Sequence, residues 1–408
     1  MRSNTLLTAA AVIGAASVTA HTIPSSRAVD QNPFVGRKLS ISHDYAKSLE
    51  ETFESFISKN DTVNAAKVRT VQNTGTFRWA PRIDLLPVLD ASISAARAEQ
   101  NQGGVPQVLG LVLYNLPDRD CSAGESAGEL SGRDGLRRYK TEYVDGWYDR
   151  LRRASDITFA IVVEPDAIGN MVTNQGIPLC ANAKAIQEEG IAYALKKLQL
   201  PNVNLYLDAS HGGWLGWADN LPLGMYSRTL PLFPCHTDIS PAAAQFKKII
   251  DLAGPNVKIR GFSTNVSNYN PFIATVREDY TEWSPSWDED HYTKSLATFL
   301  EAEGLPTRFI VDQSRVHLPG ARKEWGEWCN VAPAGLGQPQ ALAPDNEYID
   351  SLTWVKPPGE SDGRCGLEGA PAAGVWFDEY VQMLVENAHS DIAPAASLDR
   401  PRKPWWPN

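Results

Sequence analysis

The apolar run Ile161-Val162-Val163 ends in Glu164-Pro165-Asp166, two carboxylates held around a proline. Upstream, a second apolar run from Leu109 to Tyr114 ends in Asn115-Leu116-Pro117-Asp118-Arg119-Asp120-Cys121. Short β-branched runs followed by turn residues read as buried strands, so two strands deliver acids, Asp120 and Asp166 among them, toward one pocket. Carboxyl groups in unlike surroundings hold their protons at different pH, one donating while the other stays ionised. That division suits acid/base work on an ether-like or glycosidic bond.

The elements that must position these acids recur along the chain. Short runs rich in Val, Ile, Leu or aromatic residues lie at 76–79, 109–114, 158–163, 203–207, 259–266, 308–311 and 352–355. Helices are expected between and around them at 45–59, 86–99, 135–155, 181–198, 241–253, 288–303 and 372–389. The alternation predicts parallel strands with helical crossovers, an α/β barrel with its chemistry at the C-terminal strand ends. The residues just past successive runs fit: Trp79, Tyr114 with Asp120, Asp166, Asp208, Asn265, Asp312, and Lys356 with Asp362. In 372–389, Val375, Trp376, Tyr380, Met383 and Leu384 share a helical face, which reads as packing of an outer helix.

With 38 Lys and Arg against 48 Asp and Glu, the chain carries a net charge of −10 over 408 residues, which argues against a nucleic-acid partner. Met1 to Ala20 reads as a secretory signal, with Arg2 before an apolar stretch and the small residues Val18-Thr19-Ala20 at its end. A short extension (21–31), a catalytic domain (32–390) and a disordered tail (391–408) are expected to follow. No later stretch is long and apolar enough to span a membrane, so a soluble, exported monomer is expected. Export favours disulfides. Of the five cysteines, Cys121 and Cys180 each follow an acid-bearing strand and Cys329 and Cys365 bracket a separate loop, so these pairs are expected, leaving Cys235 free, buried or paired between chains. Sequons stand at Asn60 and Asn265; the first suits a surface, the second a pocket. The seven histidines lack ligand spacing, and no metal or cofactor is expected; copper at His21, were it the mature N-terminus, is the weaker alternative.

Val112-Leu113-Tyr114-Asn115-Leu116-Pro117-Asp118-Arg119-Asp120-Cys121-Ser122, with Ser126-Ala127-Gly128-Glu129 after it, resembles one signature of glycoside hydrolase family 6, the inverting cellulases. Ile161 to Ile168 resembles the other. The likeness continues through Tyr206 to Trp217, Asn265 to Asn270, Trp325 to Asn330 and Trp354 to Gly363. It implies a distorted seven-stranded barrel and the same two disulfides. It also implies action on cellulose or another β-1,4-glucan.

The resemblance implies that Asp166 is the general acid, with Asp120 raising its pKa and steadying positive charge in the transition state. The competing reading of Asp166 is a capping carboxylate at a strand end. Asp362 matches the proposed base, either directly or through a water chain involving Ser126; its alternative is a loop acid paired with Arg119 or Lys356. Tyr114 is expected at the cleavage point. Trp79, Trp214, Trp328 and Trp217 are expected as sugar platforms, because the apolar face of a glucose ring lies flat on an indole; Trp217 has packing as its alternative. Asp208, His211, Asn265, Lys356 and Glu360 are expected at sugar hydroxyls. Only two residues separate Asp362 from Cys365, so the loop that would roof a tunnel looks truncated. An open cleft and endo-acting cleavage are therefore expected, with a cellobiohydrolase as the alternative. A glucan-binding barrel without catalysis would need the tryptophans but not Asp120, Asp166 and Asp362.

Overall fold

The computed structural model describes residues 31–217 and 241–403. The signal segment, His21, Cys235 and the Trp405-Trp406 pair lie outside the described residues.

Among the described residues, eight parallel strands form one curled sheet: β1 (Lys38–Leu39), β2 (Arg78–Ala80), β3 (Gln107–Leu113), β4 (Thr158–Val163), β5 (Val203–Asp208), β6 (Gly261–Thr264), β7 (Phe309–Asp312) and β8 (Ile349–Thr353). β1 and β2 both pair with β3, one above the other, so the sheet is seven positions wide. Its edges meet through single bonds: Phe77 N donates to Trp354 O (3.0 Å) and the Trp79 indole N–H to Val355 O (2.9 Å). The result is the distorted barrel expected.

β3 and β5 are buried at every residue, as strands covered on both faces should be. Leu109, Leu111, Leu113, Ile161, Val163, Leu205 and Leu207 share the cluster that includes the surrounding helices. The alternate residues, Val108, Val112, Ala160, Val162 and Tyr206, fill the barrel interior with Phe77 and Ile310. Gly110 is required here, because a Cβ would lie 2.5 Å from the Phe77 ring. This alternation leaves Tyr114, one residue beyond β3, pointing inward.

The main helices are α1 (His43–Ser58), α2 (Thr62–Val71), α3 (Pro87–Gly103), α4 (Gly132–Arg138), α5 (Asp145–Leu151), α6 (Ala167–Thr173), α7 (Pro178–Lys197), α8 (Gly212–Leu215), α9 (Pro241–Ala253), α10 (Glu289–Ala302) and α11 (Asp378–Glu386). A π-turn, Tyr139–Val144, joins α4 to α5 inside what reads in sequence as one helix. Such turns re-aim side chains. Here the Tyr139 hydroxyl donates to Glu164 Oε1 (2.8 Å), while that of Tyr143 donates to Ala80 O (2.5 Å) and accepts from Tyr114 N (3.0 Å).

Two expectations are corrected. α2 was not expected, because Thr62, Val63, Val68, Thr70 and Val71 are β-branched and disfavour helix. The Asp61 cap and packing of Val68 and Val71 with α1 and α11 outweigh that cost. The helix expected over 372–389 begins only at Asp378: Gly374 adopts φ 78°, and Gly374 N and Ser361 N exchange bonds with Ser361 O and Val375 O. Within 391–403 a few contacts reach the body of the fold. Ile392 is buried, Ala395 N donates to Ala66 O (3.0 Å), and Arg69 Nε donates to Leu398 O (2.8 Å). Among the described residues no helix is long and apolar enough to cross a membrane.

Candidate active site

The first wall grows from β3. The Tyr114 hydroxyl lies 2.9 Å from Ser126 Oγ, and Ser126 donates both N–H and O–H to Asp120 Oδ2 (2.7 and 3.0 Å). Asp120 reaches back because its backbone is left-handed, φ 53°. Arg119 holds the loop, its guanidinium 4.3 Å from the Tyr114 ring centroid and bonded to Ser126 O, Pro81 O and Tyr114 O. The Cys121–Cys180 disulfide ties the loop to α7, and Cys329–Cys365 is the second bridge, as expected.

The second wall follows β4. Glu164 points away from solvent and accepts from Asn115 N, Leu116 N and the Tyr139 hydroxyl. Burial nonetheless raises its carboxyl to about 7. Two residues on, Asp166 takes φ 67° at the start of α6, yet its side chain makes no capping bond. Burial, then the charges of Asp208, Asp120 and Asp362, hold its carboxyl well above the usual range. Asp166 therefore keeps a proton where an ordinary aspartate has lost it.

Asp208 and Asn265 lie beneath the floor and do not line the cavity. Asp208 accepts from Asp166 N, Ser210 N and Ser263 Oγ (3.0, 3.0 and 3.2 Å), and burial raises it to about 7. Asn265 donates to Asn270 O (2.8 Å) and Asp312 O (2.7 Å). Fully buried, its amide offers no surface for a glycan, whereas Asn60 is exposed.

Asp362 pairs with neither Arg119 nor, closely, Lys356. Its Oδ2 accepts from Arg315 Nη1 (2.7 Å), Tyr269 OH (3.0 Å) and Asn330 N (2.9 Å), and Lys356 Nζ is 3.9 Å from Oδ1. Burial opposes ionisation, but Arg315 and Lys356 outweigh it and bring the carboxyl below its usual value. The same burial lowers Lys356 and raises Glu360, both of which line the cavity.

These walls enclose a cavity of about 950 Å³ containing Asp120, Asp166, Asp362, Tyr114, Ser126 and His211. Trp79, Trp214, Trp217 and Trp328 line it too. Trp79 stands edge-on to Tyr114 (5.3 Å between centroids), and the Trp214 indole N–H donates to Thr173 Oγ1 (2.7 Å). Trp217 both lines the cavity and packs, meeting Trp325 edge to face at 6.0 Å. His211 Nδ1 accepts from Gly213 N (3.2 Å), and burial lowers the ring to about 3, so it is neutral at working pH. Among the described residues the His and carboxylate cluster able to converge on an ion is Asp288, Asp290 and His291, outside the cavity lining. Asp288 caps α10 through His291 N (2.9 Å), and Asp290 binds Lys294 (2.7 Å).

The family model "Glycosyl hydrolases family 6" matches residues 34–388. The chain belongs to glycosyl hydrolase family 6. An endoglucanase of Humicola insolens is 52% identical over 364 residues, covering 89% of this chain and 99% of that protein. A 1,4-beta-D-glucan cellobiohydrolase of Podospora anserina is 51% identical over 366 residues, covering 88% and 83%. The solved structure of the Humicola insolens endoglucanase superposes with a TM-score of 0.82, 52% identity, and coverage of 89% of this chain and 100% of that one.

Several residues in or behind this family 6 cavity carried no separate expectation. Arg315, Tyr269 and Asn330 come from three different loops to one carboxylate, and no local spacing announces that. Trp325 lines the cavity beside Trp328. It lies in the same Trp-Gly-Glu-Trp stretch, whose two indoles were the available signal. Ala372 to Val375 also line it, because the helix expected there starts late.

Proposed function

We propose that the chain is an exported, monomeric endo-β-1,4-glucanase that cleaves internal bonds of cellulose and related β-glucans with inversion. The observation that carries this reading is that Asp166, Asp362 and the Tyr114–Ser126–Asp120 chain meet in one indole-walled cavity. Inversion requires a proton donor to the leaving oxygen and a water activated on the opposite face of the sugar. Asp166 supplies the proton. Asp120, held by Ser126, places negative charge where an oxocarbenium-like centre develops and orders the water. Asp362 stays ionised; Oδ2 is occupied, so Oδ1 is the oxygen left to receive the water's proton. Trp79, Trp214 and Trp328 offer flat apolar faces to glucose rings, and His211, Lys356 and Glu360 offer polar groups to their hydroxyls.

The short Asp362–Cys365 segment supports cleavage within a chain. One contact favours the second reading, a cellobiohydrolase: Arg364 N donates to Glu125 Oε2 (3.0 Å), joining the first loop to the late one. Viscosity separates the two. An endo-acting enzyme thins a soluble cellulose derivative quickly relative to reducing-end release, and slow thinning with cellobiose as nearly the sole product refutes it. Early product of α configuration from a β-linked substrate tests inversion.

A further inference from the structure

The aromatic wall does not end at the cavity rim. Trp325, which meets Trp217 inside, also meets Tyr280 edge to face at 5.1 Å. Tyr280 belongs to the 3₁₀ turn Asp279–Thr281. Trp283 comes three residues after Tyr280, just past the end of this turn. It is 82% exposed, more than any other large apolar side chain among the described residues.

An exposed apolar side chain is ordinary; the support beneath this one is not. Arg277 Nη2 donates to the carbonyls of Thr281 (3.0 Å), Glu282 (2.5 Å) and Ser284 (3.1 Å), and its guanidinium lies 4.6 Å from the Trp287 ring centroid. Thr281 is buried, and both its N–H and its hydroxyl donate to Glu278 O (2.9 and 2.7 Å). The turn is fixed from both ends, so the indole is held out in water with its backbone already ordered. Glu278, Asp279 and Glu282 flank it. Those charges repel an anionic partner, whereas the hydroxyls of a neutral sugar can donate to the same carboxylates.

We propose that Tyr280 and Trp283 form an outer ledge for a β-1,4-glucan chain that continues past Trp217 and Trp325 out of the cavity, with a pyranose face on the Trp283 indole. The ledge rests on the reading of the cavity as a β-1,4-glucan site. It adds a foothold on long or insoluble glucan without touching the acids.

The test uses the whole protein and its W283A and W283Y variants. Adsorption to amorphous cellulose and hydrolysis of cellotetraose are measured side by side. W283A should bind the cellulose about fivefold to tenfold more weakly, the worth of one aromatic contact. W283Y should keep most of the binding, and cellotetraose turnover should be the same in all three. Equal adsorption of W283A and wild type, with cellotetraose hydrolysed normally, overturns the ledge while leaving the cavity reading intact. A change of W283A in sedimentation behaviour rather than adsorption also overturns it, making the face a contact between copies. If wild type neither binds nor cleaves cellotetraose, the cavity reading fails and the ledge with it.

Discussion

Replacing Arg315 with Met leaves the Asp362 carboxylate buried without its main partner. The Arg315 side chain is 0% and the Asp362 side chain 3% exposed, 2.7 Å apart. Removing one member of a buried pair costs about 3–5 kcal/mol, because the remaining charge stays desolvated. Lys356, 3.9 Å from Oδ1, offsets part of that, so the lower end, about 3 kcal/mol, is expected at pH 7. The pH dependence follows from the lowered carboxyl of Asp362. A depressed folded pKa contributes stability above the unfolded value, near 3.9 for an aspartate, and that stability is lost as pH falls through the folded value. The cost of R315M should therefore shrink as Asp362 takes up a proton in acid. The double variant R315M/D362N should recover much of the loss, since neither charge remains. Equilibrium unfolding in guanidinium chloride at pH 7 and pH 3, disulfides intact, measures all three differences. A cost under about 1 kcal/mol at pH 7, or a cost identical at both pH values, refutes the reasoning.

D166N should abolish hydrolysis while cello-oligosaccharide binding persists; unchanged turnover would falsify the acid assignment. The same change should stabilise the fold at neutral pH by about 1 kcal/mol or more, the worth of a pKa unit. A raised carboxyl loses stability as pH rises from the unfolded toward the folded value, so the gain should vanish below the ordinary aspartate range; a gain that persists there counts against it. Y114F removes the hydroxyl beside Ser126 and should lower kcat more than it raises KM, which steady-state kinetics would read. Replacing Cys329 and Cys365 by Ser opens a loop of sequence separation 36, a loss of about 4 kcal/mol by chain entropy that denaturant unfolding measures. It should also raise KM, because Asn330 and Asp362 lose a nearby tether.

The barrel and its acids were legible because parallel strands buried on both faces are written as unbroken apolar runs, and the turn that ends each run is polar. The disulfides were legible because Cys121 and Cys180 each follow an acid-bearing strand and Cys329 and Cys365 bracket one loop. The failures share a cause as well. α2 forms against its own β-branched residues because α1 and α11 cover it, and 372–377 refuses helix because Ser361 offers its backbone a partner. Asp208 and Asn265 end strands as Asp166 does, but they turn under the floor. Sequence shows that an acid follows a strand; it does not show which side of the turn the acid takes.

Backbone conformation decides that side. Left-handed residues gather past the strands: Asp118 and Asp120 after β3, Glu164 and Asp166 after β4, Ser210 after β5, Asn265 and Ser267 after β6. Non-glycine residues at positive φ carry a cost and persist only where surrounding bonds over-determine them. Here those bonds come from the buried polar groups themselves. Asp208 grips the amides of Asp166 and Ser210, Glu164 those of Asn115 and Leu116, and Asp312 those of Ser267 and Lys356. Of the residues gripped in this way, Asp166, Ser267 and Lys356 line the cavity. Asp208 serves Asp166 twice, fixing its amide and raising its carboxyl by charge. D208N would keep one acceptor, remove the charge, and lower the pKa of Asp166. The alkaline limb of the rate profile should move to lower pH while product configuration stays the same; a limb that does not move means that burial alone holds the proton.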